Sequence, residues 1–179
     1  MTARGSGASG YILLEVLVTI VILVIGLLAL AGLQLRTSVA ETEAYQRAQA
    51  LVLVQDMVDR MYANRVATSA ADYNQDDIGT GGIVDCTAKT GAELDICEWA
   101  NALSGASETA GGNSVGTLLG GRGCVTGAGN EYFVTVVWQG LVPTVAPAAA
   151  CGTGQYGTDT LRRAVTMRVV ISTLSVGVL

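Results

Sequence analysis

Histidine is absent from the 179 residues, phenylalanine occurs once, proline occurs twice and only 14% of positions are charged. Without histidine there is no Ser-His or Cys-His nucleophile system, so the commonest covalent hydrolytic designs are excluded and no enzymatic role is expected. The first proline is Pro143, so nothing of that kind interrupts a helix in the first three quarters of the chain. A net charge of -5 and a sequence pI near 4.6 leave no basic stripe able to neutralise phosphates, which argues against a nucleic-acid partner. With half its residues hydrophobic, the chain is more apolar than a soluble domain of this size usually is.

The excess is concentrated. Residues 16–33 carry no charge, and only Thr19, Gly26 and Gly32 interrupt an aliphatic run long enough to span a bilayer. A secretory signal peptide would place a basic segment first, a shorter apolar core next and a small-residue cleavage site after it. Here residues 1–10 are small and polar, with Arg4 their only charge, and the run passes straight into Gln34, Leu35 and Arg36. Glu15 stands one position before the span, where a carboxylate at mid-bilayer costs roughly 2.5 to 3.5 kcal/mol and therefore calls for a partner.

The string Gly10-Tyr11-Ile12-Leu13-Leu14-Glu15-Val16-Leu17-Val18 resembles the class III signal of type IV prepilins. The resemblance implies that a prepilin peptidase cuts after Gly10 and methylates the new amino terminus at Tyr11. Glu15 becomes the fifth residue of the mature chain, one helical turn from a freed amine. A carboxylate there can neutralise the amine of a neighbouring subunit in an apolar filament core and set axial register. Tyr11 and Ile12 depart from the Phe and Thr common in the family, and both keep the helix start apolar. A plain signal anchor is the competing reading, with Glu15 snorkelling at the membrane interface.

A helix is expected from Tyr11 to about Arg65, on the order of 80 Å long at 1.5 Å per residue. Gly26 and Gly32 mark places where it could bend, or where neighbouring helices pack closely. Beyond the span, Ala44, Ala48, Leu51, Val54, Val58 and Met61 recur at spacings of three and four and predict an apolar face packed on a domain. Residues 55–65, with Asp59-Arg60-Met61-Tyr62-Ala63-Asn64, resemble the acidic-Arg-Met-x-Ala-Asn segment of PilV, the pilus modification family of minor pilins. Read without the resemblance, the same segment is an amphipathic helix end with Asp59 and Arg60 in solvent.

The chain changes character over residues 67–129, which are rich in Gly, Ser, Thr, Ala and Asp and predict loops and short elements. A short helix over residues 92–104 would bear Leu94, Cys97 and Trp99, and a further apolar piece lies at 115–119. Two strands follow: Tyr132, Val134, Val136 and Trp138 alternate with Phe133, Thr135 and Val137, and Val165, Met167, Val169 and Ile171 alternate with Thr166 and Arg168. Pro143, Pro147 and residues 148–157 form the connection, and residues 173–179 add an edge or fray. The expected class is α+β, the type IV pilin fold, with a long helix packed on an antiparallel sheet. The divisions are a leader (1–10), a membrane and polymerisation helix (11–36), its amphipathic continuation (37–66) and a periplasmic head (67–179).

Cys86, Cys97, Cys124 and Cys151 all lie beyond the span, and none forms a C-x-x-C pair. Disulfides are expected rather than zinc. Of three connectivities, Cys86 with Cys97 and Cys124 with Cys151 is favoured, because the first is local and the second ties together the approaches to the two strands. An even cysteine count on one side of a span implies an oxidising compartment, the periplasm and later the cell exterior. Arg4 against Arg36 gives almost no charge bias, so orientation rests on the cysteines and the resemblance.

Three other patterns are weighed. Residues 152–157 match G-x-G-x-x-G but precede a strand instead of opening a helix, so they are read as a turn-rich loop and no cofactor is expected. Asp72, Asn74 and Asp76 repeat the start of a calcium loop, but Asp77 replaces the required Gly and Ile83 the bidentate Glu. What remains is an irregular calcium site from Asp72, Asp76, Asp77 and Asp85, set against a solvated acidic loop. Arg162, Arg163 and Arg168 are read as charges guarding a sheet edge, or as a contact for an acidic neighbouring subunit.

Taken as a whole, the resemblance implies a minor pilin held in the inner membrane by one pass and then built into the pilus. Its partners would be the prepilin peptidase, other minor pilins and the major pilin, and its role would be to prime assembly and sit at the tip. A minor pseudopilin of a type II secretion system and a signal-anchored periplasmic binding domain are the alternatives.

Overall fold

The computed structural model describes residues 8–65, 70–106, 109–111, 113–114 and 118–171. Residues 1–7 of the expected leader, part of the 115–119 piece and the 173–179 segment lie outside them. The chain divides into two units, residues 1–42 and 43–179.

The first unit consists of helix. The α-helix α1 spans Ala8–Ala63, 56 residues, and runs without a break through Gly26 and Gly32. A Cβ at either glycine would meet nothing within 4 Å, so neither marks a bend or a close internal contact here. The side chains of residues 11–38 are all exposed, from Tyr11 at 76% to Leu35 at 72%, so this half makes no core of its own. Thr19 and Thr37 turn their hydroxyls back to the carbonyls of Val16 and Gln34, which satisfies them within the helix.

The second unit builds the α+β architecture expected from the sequence, with the later part of α1 packed on a four-stranded antiparallel sheet. The strands are β1 (Gln75–Ile78), β4 (Arg122–Ala128), β5 (Glu131–Gln139) and β6 (Arg162–Val170), in the order β1-β4-β5-β6. A two-residue hairpin of β2 (Thr109–Ala110) and β3 (Asn113–Ser114) stands apart, and α2 spans Gly91–Leu103. Val125, Tyr132, Val134, Val136, Trp138 and Val169 form the sheet side of the core. Ala50, Val54, Met57, Val58 and Met61 supply the α1 side, with Trp99 and Leu103 from α2.

The strands β5 and β6 and the helix α2 lie within a residue or three of their expected limits. β4 lies in the stretch read as loop. Its sequence, RGCVTGA, has one β-branched aliphatic and two glycines, so local propensity is weak, and the strand exists through seven paired positions with β5. Gly129 at φ +63° is the first of the two residues joining them, the position a type II′ hairpin reserves for glycine. Gly123 has a different reason: a Cβ there would come within 2.3 Å of the Trp99 ring, so only glycine lets α2 lie on β4.

The α1 stripe also differs from expectation. Val54, Val58 and Met61 are buried as expected, whereas Ala44, Ala48 and Leu51 are exposed and the rest of the buried line is Gln46, Ala50 and Met57. Aliphatic spacing marks the buried face from Val54 onward and misplaces it before that, because small alanines carry little information and the buried Gln46 carries a misleading one.

Candidate functional site

Glu15, the residue singled out for assembly, lies on α1 four residues beyond Tyr11, in an exposed apolar stretch. Among the described residues no side chain pairs with it. Gly10 lies inside the same helix, two residues from its start, so the backbone on both sides of the expected cut is helical. From residue 11 onward α1 is long and apolar enough to cross a membrane, and its mean hydropathy over the best 18-residue window is 3.1.

In the second unit the segment 55–65 does more than end a helix. Arg60 reaches Asp56 at 3.1 Å, Glu98 at 2.5 Å and Asp95 at 3.6 Å. Asn64 and the Tyr73 hydroxyl both donate to the same Asp95 oxygen. The Trp99 indole donates to the Leu53 carbonyl at 2.8 Å. Arg60 and Asn64 are thus clamps from α1 to α2, and the reading of Arg60 as solvated is corrected; Asp59 remains exposed, accepting from Gln55. Burial opposes the Arg60 charge, but the hydrogen bonds to Glu98 and Asp56 outweigh it and raise its pKa. Burial, and then the bond to Asp95, push the Tyr73 hydroxyl above its usual range. Asp95 was missed in the sequence although it left a signal, a lone carboxylate on the buried face marked by Ala92, Trp99 and Leu103.

Both favoured disulfides are present. Cys86–Cys97 has a Cα–Cα distance of 5.8 Å and pins the approach to α2 onto the helix, while Cys124–Cys151 at 5.9 Å ties the 140–158 connection to β4. That connection contains the G-x-G-x-x-G string, which forms turns with Gly152, Gly154 and Gly157 at positive φ.

Arg162 is where expectation and structure differ most. Its side chain is 3% exposed, and its guanidinium donates to the carbonyls of Pro147, Ala149 and Cys151 and to Asp159. It holds the connection down and does not guard an edge. Bonds from the Gly154 amide and from Arg162 keep Asp159 below the usual carboxylate range. Arg163 pairs with Glu43 of α1 at 3.2 Å, and Arg168 with Glu131 across the strands, so each of the three arginines has an internal partner.

The acidic residues do not converge into a calcium site. Asp77 pairs with Arg122 at 3.4 Å, and Asp85 caps the Thr87 amide at 3.0 Å. Among the described residues no group of three or more acidic, cysteine or histidine side chains is placed to hold a metal.

Comparison with known proteins returns no match: no family model, no curated protein and no solved structure is similar to this chain.

Proposed function

We propose that this chain is a minor type IV pilin, processed after Gly10, methylated on Tyr11 and assembled through Glu15 with other minor pilins at the tip of the pilus. The observation that carries the reading is one helix with two environments. Its first half exposes a continuous apolar surface whose only carboxylate is Glu15, and its second half is cemented into an α+β head. An apolar helix with no cover of its own requires lipid before assembly and other helices after it. In the second state Glu15 would find its partner in the free amine of an adjacent subunit. Two disulfides in the head suit an oxidising compartment, which agrees with a periplasmic and then extracellular location. The role is structural, not catalytic.

Mass spectrometry of the membrane-extracted protein tests the first step: the expected amino terminus is Tyr11 carrying one methyl group, and an intact Met1 would end the proposal. For the second step, Glu15→Ala is expected to leave processing intact and to lower incorporation into sheared pili, and undiminished incorporation would count against the assembly role.

A further inference from the structure

The core-facing side of the sheet is closed by α1, but the opposite side is only half covered. There the 140–158 connection lies over Cys124 and Val137 and is fixed in three ways. The Cys124–Cys151 disulfide joins it to β4, the Arg162 guanidinium binds its carbonyls, and the Tyr156 hydroxyl donates to the Gly120 carbonyl at 2.8 Å. Burial pushes the Tyr156 hydroxyl up to about 12, in keeping with a group set into the fold. The connection is therefore a fixed wall. Beside it, a cleft of about 600 Å³ opens over the uncovered strands, within the range of small-molecule sites.

The floor of this cleft has an unusual composition. Phe133, the only phenylalanine in the chain, lies on it 40% exposed, away from the core that claims every other large aromatic of β5. Around it are threonine hydroxyls from three adjacent strands. Thr126 is the register partner of Phe133, and Thr135 and Thr166 are directly opposed and joined at 3.0 Å. Asp76 and Asp77 of β1 line one side, and the wall contributes Gln155 and Thr153 together with the small Ala148, Ala149 and Ala150 beside the disulfide. Asp77 sits at φ +55° where the β1–β4 register shifts, an irregularity that favours a short polar side chain. Arg122 pairs with Asp77, whereas Asp76 has no ion-pair partner among the described residues.

One exposed aromatic face, with hydroxyl, amide and carboxylate groups around it at strand spacings of roughly 5 Å, suits a small polyol ring. The ring's C–H face would lie on Phe133 and its hydroxyls would exchange hydrogen bonds with the rim. Asp76, whose charge no ion pair offsets among the described residues, disfavours an anionic ligand, and the apolar lining beside Phe133 consists of small alanines of the wall, too short to form aliphatic pockets for a peptide. The floor is also a sheet face and not an edge, so a peptide could not add to it as a strand.

We propose that this cleft binds a neutral pyranose, with Phe133 beneath the sugar ring and Asp76, Thr126, Thr166 and Gln155 meeting its hydroxyls. The inference goes beyond the pilin reading and does not depend on it, since binding can be measured on the isolated chain without any assembly.

The test uses the full chain in a phosphocholine detergent, whose headgroup carries no sugar. Saturation-transfer NMR and titration are run with methyl glucoside, methyl galactoside, methyl mannoside, N-acetylglucosamine, glucuronate and a neutral tetrapeptide. At least one neutral pyranoside is expected to receive saturation chiefly on one face of its ring, and glucuronate is expected not to. Phe133→Ala should weaken binding about tenfold, a loss typical of an aromatic contact. Thr126→Arg, which fills the cleft from an exposed position, should abolish binding while the thermal melt stays in place. The proposal is overturned if no neutral pyranoside binds in the millimolar range. It is equally overturned if glucuronate or the tetrapeptide binds as well as the sugars, or if both variants bind like the parent chain.

Discussion

The two halves of α1 share a backbone and almost nothing else. Residues 11–35 are aliphatic on every side and exposed, whereas from Glu43 to Ala63 the helix alternates apolar and polar residues, and one stripe of it is buried to the last percent at Ala50, Val54, Met57 and Met61. The first half has no preferred face within the molecule because every face is equally apolar; whichever partners surround it must come from outside. The second half has a single face fixed by what packs on it. It is further held by polar clamps, with Glu43 to Arg163, Leu53 to Trp99, and Arg60 and Asn64 to Asp95. In one helix, then, composition decides the environment of one half and specific contacts decide the orientation of the other.

The sharpest way to break this comparison is a pair of substitutions six residues apart. Met57→Ala removes a fully buried side chain and is expected to destabilise the head by about 2 to 5 kcal/mol, whereas Leu51→Ala, on the exposed side, should stay within about 0.5 kcal/mol. Denaturant melts of the disulfide-intact protein followed by the tryptophan signal would measure both. Equal losses would mean that the stripe runs through Leu51 after all.

Titration gives a subtler separation. The Tyr73 hydroxyl, bonded to Asp95, has a folded pKa above its ordinary value of 10.0, so its contribution to stability is complete below about pH 10 and is lost as pH rises through the higher folded value. The tie between the 70–73 turn and α2 should therefore loosen in alkali, with Tyr73→Phe flattening the decline. Near-ultraviolet circular dichroism between pH 9 and 12 checks this, and an identical slope in the variant would remove Tyr73 as the cause.

The smallest expected effect on the head comes from a change in the other half. Leu23→Lys should leave the melting of the head unchanged, because residue 23 is exposed and belongs to the 1–42 unit, yet should lower the yield of membrane-inserted protein by the cost of a charge at mid-span, roughly 2.5 to 3.5 kcal/mol. A shift in the head's melting point would show that the halves are not energetically independent.

How far each feature could be read in advance follows the same division. The strands β5 and β6 were legible because valines and aromatics alternate with period two, and α2 was legible from its apolar spacing. β4 was not, since its glycines deny it any propensity and it exists only by pairing with β5 and accommodating Trp99. Arg162 was read as a surface charge because a sequence cannot show that a loop folds over it and offers three carbonyls. The cleft around Phe133 was invisible for a related reason. Alternation says that Phe133 and Thr135 share a face, but not that the 140–158 connection covers only half of that face.

By itself, the sequence determined the apolar helix, the isolated Glu15 within it and two of the strands, and it favoured the local Cys86–Cys97 pairing. Each of these depends on residues near one another in the chain and on their periodicity. Tertiary structure alone decided which stripe of α1 is buried, that β1 and β4 join the sheet, that Asp95 gathers Arg60, Asn64 and Tyr73, and that Arg162 pins the connection. These depend on groups brought together from 11 to more than 100 residues apart. A buried carboxylate or guanidinium is tolerated only where such distant partners arrive to satisfy it, and that condition is not written in any local pattern.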